Sequence, residues 1–129
     1  MDEINALIPR GKGDHEAVER IKNADPKELE PVLDGILEWL QDWCWPIAGP
    51  LADALKPLGI LLAPHLRRIL RSNDGTWKHH VMGAFVSENK ELCMALKDDL
   101  ERIAHSPTSD DKLEEVDELA KDILESHRL

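Results

Sequence analysis

The chain has no tyrosine, one phenylalanine and four tryptophans, so aromatic residues make up 4% of its 129 residues. An aromatic-poor chain of this kind argues against an all-β fold, whose strands draw on aromatic and β-branched side chains. It has only two cysteines, Cys44 and Cys93, and no C-x-x-C. That excludes a multi-bridge disulfide scaffold, a zinc ribbon and a thiol-exchange motif. Both cysteines are therefore expected as small buried hydrophobes in a reducing compartment. The longest apolar-rich run, Leu58 to Ala63, is far below membrane-spanning length. The start Met1-Asp2-Glu3 has neither a basic n-region nor an apolar h-region. A cytoplasmic protein without membrane contact is the expectation. Positive charge is also scarce. There are 16 Lys plus Arg against 26 Asp plus Glu, a formal net charge of −10, which repels phosphate at long range unless the basic residues are segregated. Nucleic acid is thus a disfavoured partner.

What the sequence does hold is an internal repeat. Pro31-Val32-Leu33-Asp34-Gly35-Ile36-Leu37 and Pro64-His65-Leu66-Arg67-Arg68-Ile69-Leu70 align at an offset of 33 positions, with proline, leucine and Ile-Leu in register. A partial copy follows at Leu100-Glu101-Arg102-Ile103, and Asp-x-x-Trp recurs at Asp42/Trp45 and Asp74/Trp77. With 42% hydrophobic and 33% charged residues, helices with one apolar stripe and a charged outer face fit the composition. A helical period in the low thirties implies stacked helix pairs of the HEAT, armadillo or TPR kind. The expected fold is all-α, a HEAT/armadillo-like α–α superhelix of about six to seven helices forming a single domain over residues 1–129.

Residues 1–13, with Pro9 and Gly11-Lys12-Gly13, read as an irregular arm whose Leu7 and Ile8 tuck against the first helices. Asp14 suits the cap of a first helix, and Asp25-Pro26-Lys27-Glu28 carries cap, first-turn proline and returning Glu together. That helix is expected to run to about Gln41. Pro50 predicts a kink or late start in the next one. Further helices are expected from Leu61 to Arg71, from a cap at Asp74, from Ser87 or Asn89 to Ala104, and over residues 109–129. The last of these carries Leu113, Val116, Leu119, Ala120, Ile123 and Leu124 on one stripe and acids outside, as a capping helix.

No catalytic constellation is visible. His79-His80 point about 100° apart on a helix and cannot share a metal, no serine sits in G-x-S-x-G, and Gly11-x-Gly13 has no phosphate-loop context. The chain reads as non-enzymatic, with no cofactor and no metal implied. Stacking the repeats sets Arg67, Arg68 and Arg71 between two acidic rows, Asp34 with Glu38 and Asp98 with Glu101, the latter row also holding Arg102 and His105. The alternation lets the arginines pair with Asp34, Glu38, Asp98 and Glu101 as inter-repeat ion pairs that set register, or else present a charged recognition stripe, for which the candidate partner-binding groove is Arg67, Arg68, Arg71, Lys78, His79, Glu101 and His105. A row of mixed sign suits a protein surface better than a phosphate backbone. Trp45 and Trp77, as repeat equivalents, are expected in the core, while one of Trp39 and Trp43 is expected half exposed.

Four stretches together resemble a small, mostly bacterial, uncharacterised family of HEAT-like helical proteins: Leu7-Ile8-Pro9; Glu38 to Asp42 with Trp45-Pro46; Ser72 to Lys78; and Leu100 to Ile103 with Ser106-Pro107-Thr108. The resemblance covers nearly the whole chain. It implies an α–α superhelical fold and carries over no activity. His79-His80-Val81 follow Trp77-Lys78 where members of that family are more aromatic. The functional expectation is a protein-interaction module, such as a small immunity or adaptor protein. The alternative is a HEAT-like nucleic-acid-binding protein using Arg67, Arg68 and Arg71 as a phosphate track.

Overall fold

The computed structural model describes residues 7–129. The first six positions of the expected N-terminal arm, including the start Met1-Asp2-Glu3, lie outside the described residues. The described chain is all-helical, with no strand, and none of its helices is long and apolar enough to cross a membrane. It divides into two compact units, residues 1–58 and 59–129.

In the first unit, residues 7–13 form turns, with Leu7 and Pro9 buried. Helix α1 (His15–Asn23) starts where Asp14 accepts the Ala17 amide at 3.1 Å, and it buries Ala17, Val18 and Ile21. Helix α2 (Pro26–Leu29) opens with the expected reciprocal cap: Asp25 accepts from the Lys27 amide, while the Asp25 amide donates to Glu28. The long helix expected to Gln41 is instead a relay of tight and regular turns, 3₁₀ at Glu30–Val32, α3 (Leu33–Leu37) and 3₁₀ again at Glu38–Leu40. Pro31 accounts for the first break, since it has no N–H to give and its ring crowds the preceding turn. The apolar period survives the break, and Leu33, Ile36, Leu37 and Leu40 are all buried. Helix α4 (Ala48–Leu55) starts late, two residues before Pro50, so that the proline falls in its first turn and no kink is needed. It packs on α1.

The second unit begins at Gly59, whose backbone at φ +52°, ψ −122° interrupts the turns of Lys56–Leu62 in a conformation that a Cβ would strain. Helix α5 (Ala63–Leu70) is the second copy of the repeat, and Leu66, Ile69 and Leu70 are buried as their counterparts Leu33, Ile36 and Leu37 are. Helix α6 (Gly75–Val81) is capped by Asp74, which accepts the Trp77 amide at 3.0 Å. It continues into a wider π-type turn, Met82–Val86. Helix α7 (Lys90–Ala95) is capped by Asn89. The backbone breaks at Leu96 before α8 (Lys97–His105), so the single helix expected from this cap to Ala104 is two.

The terminal helix is also two pieces, α9 (Ser109–Leu113) and α10 (Val116–Ser126). Between them Glu115 adopts the left-handed conformation at φ 59°. That break shifts the helical phase. Leu113, expected inward, is 76% exposed, whereas Val116, Ala120, Ile123 and Leu124 form the buried stripe. Helix α10 packs on α8, α6 and the π-type turn, and its acids Glu118, Asp122 and Glu125 lie outward.

Candidate partner-binding site

The residues singled out from the sequence occupy different environments in the structure. The largest departure is Lys78. Expected on the groove, it is 1% exposed, and its Nζ donates to Asp111 Oδ1 at 2.8 Å, while Asp111 is itself fully buried. An ammonium is tolerated there because it is paired and because the carboxylate is further satisfied: Asp111 Oδ2 accepts the Thr108 amide at 3.1 Å. Burial pushes the Asp111 carboxyl up, but the hydrogen bonds from Lys78 and Thr108 and the Lys78 charge outweigh it and hold the group below its ordinary value. Thr108 in turn accepts the Asp111 amide, closing a capping box on α9. The spacing Thr108-x-x-Asp111 was the signal in the sequence that could have located this acid. The neighbouring Asp110 Oδ2 accepts the Gly75 amide at 2.6 Å. A Cβ on Gly75 would stand 2.8 Å from both the carbonyl and a carboxylate oxygen of Asp110, so the approach of α9 to α6 requires glycine. Lys78 thus belongs to a structural lock between α6 and α9.

Arg67 and Arg71 do meet a carboxylate on α8, though it is not Asp98 or Glu101. It is Asp99, one position on, whose side chain is 5% exposed. Asp99 Oδ2 lies 3.4 Å from Arg67 Nε, and Oδ1 accepts from Arg71 Nε at 3.0 Å. Arg102, three residues along α8, places Nη2 at 3.6 Å from the same Oδ1. Two backbone carbonyls complete the arrangement: Arg67 Nη2 donates to Ala95 O at 2.8 Å and Arg102 Nη2 to Leu70 O at 2.9 Å. One buried carboxylate and two carbonyls therefore hold three arginines from behind, and Arg71 remains 64% exposed. Arg68, next on α5, is exposed, as is His79 on α6.

Glu101 and His105 lie one helical turn apart on α8 and line a shallow groove against α10 with Lys121, Leu124, Glu125, Arg128 and Leu129. Glu101 also approaches Lys97 at 3.9 Å. This groove carries both signs of charge over an apolar floor. The candidate residues thus resolve into an arginine cluster, a mixed-charge groove, the surface residues Arg68 and His79, and a buried lysine. No three His, Cys, Asp or Glu residues are grouped to hold a metal among the described residues.

The tryptophans depart from the repeat logic. Trp77 is buried, but Trp45 is only half-buried. Asp42 accepts the Cys44 amide at 2.8 Å in a two-residue Asx turn and caps no helix, and Pro46 disfavours a helical Trp45. Trp45 rests against Trp39, centroids 5.3 Å apart and rings tilted by 55°, and these two line a second shallow cleft with Glu38 and Gln41. Trp39 is half-buried and Trp43 is 42% exposed. Cys44 is exposed too, contrary to expectation, because the same turn carries it outward. Cys93 is buried, with its Sγ 3.0 Å from the Val86 carbonyl, and burial pushes its thiol up.

The model of a domain of unknown function, DUF5071, matches residues 7–124. The match spans nearly all of the described chain, and the chain belongs to that family. No curated protein matches the chain.

Proposed function

We propose that this member of the family is a non-enzymatic protein-interaction module, of the small immunity or adaptor kind, that captures one polypeptide partner on the surface of residues 59–129. The observation that supports the reading is the arginine cluster on Asp99. Its guanidinium groups are ordered in advance by a buried carboxylate and by backbone carbonyls, so a partner binding them loses little side-chain entropy. The mixed-sign groove beside His105 offers complementarity to a protein surface that also carries both charges. A repeat architecture of the HEAT kind and a cytoplasmic location belong to the same reading.

The rival reading, a phosphate track for nucleic acid, calls for a row of free cations, whereas Arg67, Arg71 and Arg102 share one anion within a chain of net charge −10. The test combines two measurements on the intact chain. Photo-crosslinking from position 105 in the native host should trap a polypeptide, and the Arg71→Glu variant, assayed under conditions where it remains folded, should lose it. Duplex DNA and RNA should show no tight binding at about 0.15 M salt. Tight nucleic-acid binding with a steep salt dependence, abolished by Arg71→Glu, would replace this reading with the rival.

A further inference from the structure

The arginine cluster has a charge and a geometry that point to one class of ligand. Arg67 on α5 and Arg71, the residue that caps its C-terminal end, stand one helical turn apart, and Arg102 stands one turn from Asp99 on α8, so all three side chains reach the same carboxylate. Arg71 Nε at 3.0 Å and Arg102 Nη2 at 3.6 Å share a single oxygen, which puts these nitrogens within about 7 Å of each other. Three guanidinium groups and one carboxylate leave a local formal charge of +2. Asp99 cannot itself be the recognition element, because it is only 5% exposed and its two oxygens are taken up by the arginines. Its role is that of a strut. It fixes Nε of Arg67 and Arg71, and the carbonyls of Ala95 and Leu70 fix one terminal nitrogen each of Arg67 and Arg102. The terminal nitrogens of Arg71 have no such duty and sit on the most exposed side chain of the three.

From this we infer that the Arg67, Arg71 and Arg102 cluster is a binding site for a phosphomonoester dianion, and, resting on the protein-interaction reading, that its ligand in that setting is a phosphorylated side chain of the partner. A phosphomonoester carries about −1.5 to −2 charge near neutral pH and three acceptor oxygens, which matches a +2 focus of forked donors. A single carboxylate would leave the focus half-neutralised. A nucleic-acid backbone offers one charge per phosphate along a line and would find one such focus only, against a chain repulsive elsewhere. Free inorganic phosphate shares the chemistry of the phosphorylated side chain, and the experiment separates the two.

The test follows the arginine Nε–H signals by nuclear magnetic resonance at constant ionic strength. Inorganic phosphate, a phosphoserine hexapeptide, its unphosphorylated form and sodium acetate are titrated in turn into the intact chain. The expected result is saturable shifts at Arg67, Arg71 and Arg102 with phosphate and phosphoserine peptide, and none with acetate or the plain peptide. Arg71→Ala should weaken both at least tenfold in a chain that stays folded, since Arg67 and Arg102 still face Asp99, and Arg71→Lys should not restore them, because a point charge lacks the guanidinium fork. A phosphopeptide binding more tightly than phosphate assigns the site to a phosphorylated side chain, whereas phosphate binding with the peptide excluded assigns it to the free ion and refutes the partner assignment. Non-saturable shifts, or binding indifferent to Arg71→Ala, would overturn the site altogether. If the site fails while crosslinking from position 105 still traps a polypeptide in an Arg71-dependent manner, the interaction reading stands without it. If both fail, both readings fall.

Discussion

Replacing Lys78 by methionine removes the ammonium while keeping an unbranched chain of similar length in the same space. The partner, Asp111, is fully buried and stays behind with one hydrogen bond from the Thr108 amide in place of two protein donors. Removing one member of a buried ion pair costs about 3–5 kcal/mol, most of it the penalty of leaving the other charge uncompensated. The Lys78→Met variant should therefore lose about that much in urea unfolding. The double variant Lys78→Met/Asp111→Leu removes the stranded charge and should recover most of the loss. It still forfeits the capping box at Thr108, so a residual deficit of about 1 kcal/mol is expected. The pair also fixes a pH dependence. The Asp111 carboxyl titrates below its ordinary value in the folded chain, so the folded state binds fewer protons there than the unfolded one. Its contribution is present above the unfolded value of about 3.9 and disappears as pH falls through the lower folded value. Wild type should lose this increment below about pH 4, and Asp111→Leu should lack it. A Lys78→Met loss under about 1 kcal/mol, or a double variant no better than the single, would refute the reasoning.

Trp77→Ala should cost about 3–5 kcal/mol in chemical denaturation, and Trp45→Ala less than half of that, because only Trp77 is buried; equal costs would contradict the Asx-turn account of Trp45. Gly75→Ala should lower stability by about 1–3 kcal/mol, since its Cβ would stand 2.8 Å from two Asp110 oxygens, and a neutral result would mean that α9 is held loosely. A disulfide reagent such as Ellman's should titrate one thiol, Cys44, in the folded protein, with Cys93 reacting only on unfolding; two fast thiols would place Cys93 at the surface.

The readable part of the fold is the part governed by neighbours in sequence. Caps at Asp14, Asp25, Asp74 and Asn89 lie where side-chain acceptors precede apolar periods, and each bonds an amide two or three residues on. The repeat located Leu33, Ile36 and Leu37 with Leu66, Ile69 and Leu70, because burial on one helical face follows from spacing alone. Spacing fails where the phase is reset. The left-handed Glu115 puts Leu113 outside the stripe, and the break at Leu96 restarts α8. The arginines were matched to Asp98 and Glu101 by carrying one face across the repeats, and the acid they meet is Asp99. Lys78 illustrates a different limit. Nothing local distinguishes a lysine that pairs with an acid 33 residues away inside the core from one that faces water.

That limit bears on what family membership conveys. Two of the stretches that carry the resemblance, residues 72–78 and 106–108, sit at the two ends of one device: Asp74 caps α6, Gly75 admits Asp110, Lys78 meets Asp111, and Thr108 caps the helix holding both acids. Every polar group named there is consumed by another within the chain, and Lys78 and Asp111 have no surface to offer a partner. The lock accordingly specifies how residues 75–81 and 109–113 pack, and it is silent about binding. The arginine cluster is organised in the reverse sense. Its acid is buried and spent, while Arg71 keeps most of its side chain in water. The two devices are therefore separable: substitutions in the lock should move unfolding midpoints and leave the affinity of the folded fraction unchanged, whereas Arg71→Ala should lose affinity in the folded fraction out of proportion to any shift of its midpoint. Affinity that tracks stability across both sets would mean that the cluster is one more strut, and that recognition lies elsewhere on the chain.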